Sequence, residues 1–485
     1  MKSAAVIIVL GLCNCGLPAG TQVSPLEDPS ASDVQALDTR RDVMVYLATQ
    51  ANLTVAGVSK EERGTQVQAR LVAHAEATQA PIVAMLAGLD YQLFYVTNAI
   101  LVRNATTKLI AQLEARSDVA RVRSDGEVAL VLPPKSNVTE FTQDRGIEKS
   151  LIATGADVVW SQLRVLGAGV VVAGQDTGVD WTHPALKAKY RGWNGTAADH
   201  AYNWHDAIHG SGSNPCGYSS AEPCDDDEHG THTMGTVLGD DGAGNQVGMA
   251  PDAKWIACRN MVRGRGKPST YIECFEWFLA PYPQGGDPRK DGDPSKAPDV
   301  INNSWGCDGS EGCSGDEILP AMAALHAAGV TIVASAGNDG PSCSTISTQP
   351  ATDSAHTLTV GAYDYRNDKI ARFSSRGPST LDGQVGPQVA APGVGIRSCI
   401  PGGGYAGGWD GTSMAGPHVA GEVALLVSAK PQLKGKPDAI MQAIRSSARA
   451  MTSAQTCGGL AGSALPNNTW GYGTIDALKA INSVP

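Results

Sequence analysis

From residue 156 onward, short runs made only of apolar, largely β-branched residues recur between longer stretches with helical spacing. The runs at 170–173, 300–301 and 330–334 lack polar alternation, so strands built from them need cover on both faces. Strands of that kind separated by helices predict an α/β fold: a doubly wound, mainly parallel sheet with helices packed on either side. The sequence shows no fixed-period repeat of the kind that would build a solenoid or propeller.

The pattern before that point is different. Between residues 41 and 132 the periodicity gives strand, helix, strand, strand, helix, strand, with strands at 43–47, 92–96 and 99–103 and helices at 61–86 and 106–115. This predicts a small α+β domain of the split βαβ, ferredoxin-like kind. Residues 133–148 are polar, begin with two prolines and carry no apolar period, as expected of an exposed linker. A chain of 485 residues accommodates two such folded units, the second spanning 149–485. At the start of the chain, Lys2, an apolar run over 4–12 and the small residues Ala19 and Gly20 have the form of a secretory signal peptide over 1–20.

Charge and cysteine content narrow the classes. A net charge of −11, with no basic face interleaved with aromatics, gives no footing for nucleic acid. Beyond the leader no stretch is apolar and long enough for a membrane span, so a secreted, extracellular, monomeric protein is expected. Nine of the eleven cysteines lie between Cys216 and Cys457, and export would put them in an oxidising space. Cys216 with Cys224 and Cys307 with Cys313 would close short loops, and the odd count leaves one thiol over.

Four segments carry chemistry. Asp176 closes an apolar strand in QDTG, His229 opens HGTH, Asn338 lies in SAGNDG, and Ser413 lies in GTSMAGPH ahead of an apolar helical stretch. Each alone reads as something plainer: a turn, a metal-binding histidine pair with His232, a strand-ending turn, a helix N-cap. Together they supply an acid, a base, an amide donor and a nucleophile. A serine hydroxyl needs an imidazole to take its proton, which assigns Ser413 and His229. The imidazole needs a carboxylate on its other nitrogen, which assigns Asp176. The oxyanion needs aimed donors, which assigns the Asn338 side chain with the Ser413 N–H. The alternative of an α/β-hydrolase fails on order, since its serine precedes the acid and the histidine.

QDTGVDWTHPAL, HGTHTMGT, SAGNDG and GTSMAGPHVAG, in that order, resemble the subtilisin-like serine proteases over roughly residue 155 to the end. KWIA at Lys254, EWFLAP at Glu276 and NNSWG at Asn302 point to one branch of that family. The resemblance implies a serine endopeptidase that hydrolyses internal bonds of protein and peptide substrates through an acyl-enzyme, with no cofactor needed for the chemistry. It implies substrate-binding backbone at Ser304, Trp305 and Gly306, Trp305 standing where many relatives carry a smaller residue. A structural calcium is also implied, its ligands unknown, and Ala185 replaces an aspartate that many relatives use for it. The region 41–132 is similar to inhibitory propeptides, so the chain's own propeptide is an expected partner, released by a self-made cut within or just beside 133–150. Asp225, Asp226, Asp227 and Glu228 read either as a solvated charge run or as a preference for basic substrate side chains.

Overall fold

Residues 40–124 form a four-stranded antiparallel sheet whose two faces are both covered. The computed structural model describes residues 39–56, 59–134, 146–210 and 214–485. Contacts divide the chain between Thr39 and Arg40, and the architecture below concerns the second unit, 40–485. The expected signal peptide, Cys13, Cys15 and residues 135–145 of the expected linker lie outside the described residues.

The elements run β1 (Arg40–Leu47), α1 (Lys60–Val83), β2 (Tyr91–Phe94), β3 (Ala99–Thr106), α2 (Thr107–Glu114) and β4 (Val119–Ser124). In space the strands lie in the order β2, β3, β1, β4. Local chemistry starts both helices. Ser59 and Glu62 form a capping box at the head of α1, and the Thr106 side chain accepts from Leu109 N–H at the head of α2. The period of two along β1 then sorts its side chains. Val43, Val45 and Leu47 pack with Ile82, Ile110 and Leu113. Met44 and Tyr46 share a core with Ile272, Phe275 and Met322, which belong to the following α/β layer. The first sheet therefore needs the second layer to complete its burial.

That layer is built on β6 (Val171–Asp176), β7 (Trp204–Asp206), β8 (Lys254–Arg259), β10 (Val300–Asn303), β11 (Thr331–Ser335), β12 (Thr357–Asp364) and β13 (Val389–Pro392), where β5 (Val128–Ala129) and β9 (Arg265–Gly266) are short strands outside it. The order across the sheet is β12, β11, β10, β6, β8, β7, all parallel, with β13 also parallel to β12 and residues 369–370 antiparallel at the far edge. The sheet is mainly parallel, as the unbroken apolar runs predict. Helices α3 (His229–Leu238) and α6 (Thr412–Ala429) pack with one core. Helices α4 (Pro268–Leu279) and α5 (Leu319–Ala327) pack with the core that receives β1. From Thr412 to Val427 every residue of α6 is buried, which accounts for its lack of a polar face. Residues 146–147 pair with 245–246, so the end of the expected linker already belongs to this layer.

Four disulfides join Cys216–Cys224, Cys258–Cys274, Cys307–Cys313 and Cys343–Cys457, and Cys399 is a buried free thiol. Among the described residues no helix is long and apolar enough to cross a membrane.

One buried ion pair ties α1 to the parallel sheet. Lys60 Nζ donates to Asp299 Oδ1 at 2.9 Å and to the Ala297 carbonyl at 2.8 Å, while Asp299 Oδ2 accepts from Val171 N–H at 2.9 Å and lies 3.3 Å from Lys434 Nζ. Removing one partner of a buried pair strands the other charge. Lys60→Ala is expected to cost the full chain about 3 kcal/mol, the low end for such a loss because Lys434 remains. Urea unfolding checks it, and an unchanged midpoint would mean that Lys434 alone neutralises Asp299.

Candidate active site

Three amide side chains cross the carboxyl ends of the central strands. Gln175 Nε2 donates to Asn303 Oδ1 at 2.7 Å, Asn260 Nδ2 donates to Gln175 Oε1 at 3.1 Å, and Asn303 Nδ2 donates to the Val333 carbonyl at 2.9 Å. All three residues are fully buried. They fix the register of β8, β6, β10 and β11 just where the next residues are Asp176, Ser304 and the turn to Asn338. Open parallel sheets bind ligands at this edge.

His229 opens α3 beside the end of β6, and its Nδ1 lies 2.7 Å from Asp176 Oδ1. Their close approach depends on Gly230, where a Cβ would stand 2.0 Å from the Gly178 carbonyl oxygen. His229 Nε2 is buried without a hydrogen-bond partner. Ser413 is the second residue of α6, and the helix is entered through Gly411 at φ 153°, so the serine is not the N-cap. Its Oγ donates to the Ser304 carbonyl at 2.9 Å, and Ser304 Oγ donates to the Ser413 carbonyl at 3.0 Å. The hydroxyl is thus held on the strand side of the cleft and not on His229. Asn338 is oriented by Thr412, whose N–H and hydroxyl both donate to its Oδ1 at 2.9 Å. That leaves Nδ2 pointing into the cleft.

The cleft contains a piece of the same chain. Residues 128–134 line it together with Ser304, Trp305, Gly306, Asn338 and Ser413, around a volume of about 450 Å³. β5 pairs antiparallel with β9, Val128 opposite Gly266 and Ala129 opposite Arg265, and Leu130 N–H donates to the Gly264 carbonyl at 2.6 Å. This is strand addition to an open backbone edge. The next carbonyl, that of Val131, accepts from Asn338 Nδ2 at 3.4 Å. Leu132 then packs against Trp409 and Met414.

Trp305 is both core and cleft wall: its ring is 3% exposed, its Nε1 donates to the Gln175 carbonyl at 3.1 Å, and it stacks on Tyr271 at 4.0 Å. At Gly306 a Cβ would meet Thr348 Oγ1 at 2.3 Å, so only glycine lets these walls close. His232 stacks on Trp409 with ring centroids 4.4 Å apart. Among the described residues no cluster of three or more His, Cys, Asp or Glu is gathered for a metal ion, and Ala185 is buried.

The acidic run before His229 is not a uniformly solvated patch. Asp225 receives Thr177 Oγ1 at 2.7 Å and both the N–H and hydroxyl of Thr231, at 2.8 and 2.6 Å, so it builds the turn into α3. Asp226 faces Arg259 and the Arg263 N–H. Asp227 lies beside the edge that pairs with residues 128–130, 3.6 Å from where a Gly264 Cβ would stand. Its carboxyl is raised to about 6, by burial first and then by Asp176, Asp225 and Asp226 against the opposing pull of His229.

Sequence reasoning missed the contacts that seat the first sheet against this layer. Asp125 accepts from Ser269 N–H at 2.9 Å and Ser269 Oγ at 2.7 Å, capping α4 from another part of the chain. Glu276 accepts from the N–H groups of Tyr95 and Val96 at 2.6 and 3.0 Å, and Gln92 donates to Glu273 at 2.7 Å. Two glutamates inside the otherwise apolar ECFEWFL were the available signal.

A family model described as the subtilase family matches residues 167–473. Bacillopeptidase F of Bacillus subtilis (strain 168) is 40% identical over 347 residues, which cover 70% of this chain and 22% of that protein. It is the branch that KWIA, EWFLAP and NNSWG point to. Subtilisin E of the same organism is 35% identical over 267 residues, 55% of this chain and 57% of that protein. Serine protease AprX, also from that organism, is 29% identical over 340 residues, 64% of this chain and 69% of that protein. The matched part of this chain thus spans less than two thirds of the first two relatives.

Burial opposes charge on His229, yet Asp176, then Asp227 and Asp225, more than offset it and raise its pKa above the ordinary value. The neutral imidazole therefore appears only as pH rises through that raised pKa. Asp227→Asn removes one of the raising charges and is expected to move the His229 titration to lower pH, read by NMR of its ring protons. A titration that stays in place would show that solvent already screens Asp227.

Proposed function

The chain belongs to the subtilase family, and on that premise we propose that it is a secreted serine endopeptidase made as a self-processing zymogen. The observation that carries the reading is the chain's own extended segment in the cleft, with the Val131 carbonyl oxygen 3.4 Å from Asn338 Nδ2. A carbonyl in that position is the one a nucleophile at Ser413 attacks.

The chemistry follows from the groups around it. Ser413 Oγ is held by the Ser304 carbonyl, the acceptor that an extended substrate's own N–H would occupy. Substrate binding there frees the hydroxyl to turn to His229 Nε2, which has no other hydrogen-bond partner. His229 takes the proton as Oγ bonds to the carbonyl carbon, and Asp176 holds the tautomer and stabilises the imidazolium. Asn338 Nδ2 and the Ser413 N–H receive the developing oxyanion. The imidazolium returns its proton to the amine, which leaves, and the acyl group stays on Ser413 Oγ. Water repeats the sequence to release the acid. No step calls for a cofactor.

In this reading the ferredoxin-like unit over 40–124 is the inhibitory propeptide and 128–131 is its product-like tail. Its hold comes from the shared apolar core and from Asp125, Lys60 and Glu276. The register supports a cut between Val131 and Leu132, just ahead of the 133–150 stretch expected from the sequence. Four disulfides agree with folding in an oxidising space, as export through the 1–20 segment would provide.

N-terminal sequencing of the active form is expected to begin at Leu132, with an uncut precursor accumulating for Ser413→Ala. An active enzyme that keeps residues 40–131 attached would sink the zymogen reading. Asn338→Leu is expected to lower kcat by about 10²- to 10³-fold with little change in KM, the loss typical of one oxyanion donor. Steady-state kinetics on a peptide substrate measures it, and an unchanged kcat removes Asn338 from the mechanism.

A further inference from the structure

All the charged side chains that line the cleft, Asp308, Glu311 and Asp339, are acidic. Glu311 stands apart from the other two. It is 3% exposed, the Tyr271 hydroxyl hydrogen-bonds its carboxyl, and its second oxygen, Oε2, has no partner. A buried carboxyl oxygen left unpaired is costly unless something comes to meet it.

Backbone register identifies what passes over it. Gly126 N–H donates to the Glu311 carbonyl at 2.9 Å, and Val128 pairs with Gly266. Gly266 is also where a Cβ would come 2.3 Å from the Tyr271 hydroxyl, so the hydroxyl lies directly behind the strand that Val128 pairs with. The Tyr271 ring in turn stacks on Trp305 with planes 12° apart. A side chain at position 128 thus meets a flat aromatic wall that ends in a carboxyl. Counting back from Val131, this is the fourth residue on the acyl side of the scissile bond.

We propose that Glu311, with Tyr271 and Trp305, forms a subsite for a lysine or arginine side chain four residues before the bond that is cut. The inference rests on the endopeptidase reading above. A long cationic side chain lays its stem on the stacked rings and brings its head to Oε2, gaining a cation–π contact and a charge-assisted hydrogen bond. Valine, the residue the tail itself offers, is too short and uncharged to do either, so a substrate with a base there competes against the tail on better terms. The rigid disulfide loop Cys307–Cys313 carries both Glu311 and Asp308. Asp308 is spent on its own turn, accepting from Ser310 N–H and Oγ.

Protonation gives the subsite a signature. Burial raises the Glu311 carboxyl to about 8 and Asp308 adds to that, while the Tyr271 hydrogen bond opposes it. Asp125 and the backbone of 124–128 that helps bury Glu311 both leave with the propeptide, so the carboxyl of the processed enzyme ionises at lower pH until substrate covers it. Pairing with a cation requires the ionised form, whose proton goes to solvent. Preference for a basic side chain therefore strengthens as pH rises through the Glu311 ionisation, with the His229 ionisation cancelling in a ratio of two substrates.

The test uses the full chain after it has processed itself, assayed on peptides identical except for arginine, its uncharged isostere citrulline, leucine or alanine at the fourth acyl-side position. Arginine is expected to exceed citrulline by about tenfold or more in kcat/KM at pH 8, a typical strength for one charged hydrogen bond, with a smaller ratio below the Glu311 ionisation. Glu311→Gln is expected to bring the ratio close to one and to abolish its pH dependence. A wild-type ratio within about twofold, or a Glu311→Gln ratio equal to wild type, overturns the proposal. Should the variant fail to fold, the wild-type arginine-to-citrulline ratio decides, and a ratio within about twofold overturns it. If none of the peptides is cleaved, the endopeptidase reading fails and the subsite falls with it; cleavage without preference leaves that reading standing and removes only the subsite.

Discussion

The Asn260, Gln175 and Asn303 side chains form a buried amide ladder, and the geometry of the site depends on it. Parallel strands have evenly spaced hydrogen bonds and little else to resist a slip of register. A slip of one residue would reverse the faces of Asp176 and of Ser304. With Gln175 bonded through both ends of its amide to Asn260 and Asn303 in a dry interior, the ladder makes such a slip cost several buried polar groups at once. The consequence is felt one residue further on, where Asp176 meets His229 and where the Ser304 carbonyl meets Ser413.

Against that fixed edge the two helices that deliver His229 and Ser413 are placed by small residues. Gly230 and Gly411 serve different ends. The first lets α3 approach the Gly178 carbonyl, and the second holds a backbone angle that side chains rarely adopt and so turns the chain sharply into α6. Asp225 supplies the remaining constraint by tying Thr177, next to the acid, to Thr231, in the helix of the base. One carboxylate thus couples the two positions whose separation matters most to the imidazole.

The first sheet and the parallel layer share a core because neither surface is polar enough to stand alone. β1 buries alternate residues on opposite sides, and of the helices α4 and α5 that cover its outer side, α4 also carries Glu273 and Glu276 to meet Gln92 and the Tyr95 and Val96 N–H groups. Glu276 is met across this seam by the Tyr95 and Val96 N–H groups, while Glu273 also pairs with His205 and His209 on its own side. Separation would expose them to water, which solvates carboxylates well.

Much of this was legible in the sequence. Unbroken apolar runs dictated a covered parallel sheet, the switch of period dictated an α+β unit ahead of it, and four short motifs singled out Asp176, His229, Asn338 and Ser413 as candidates, because each depends on local spacing alone. The sequence could not say which acidic residues of 225–228 turn inward, that Glu311 lies under the chain's own tail, or that Lys60 reaches an aspartate more than two hundred positions away. Those facts depend on which faces meet. A charged residue reads as solvated until packing removes the water from around it, and only the tertiary structure decides where that happens.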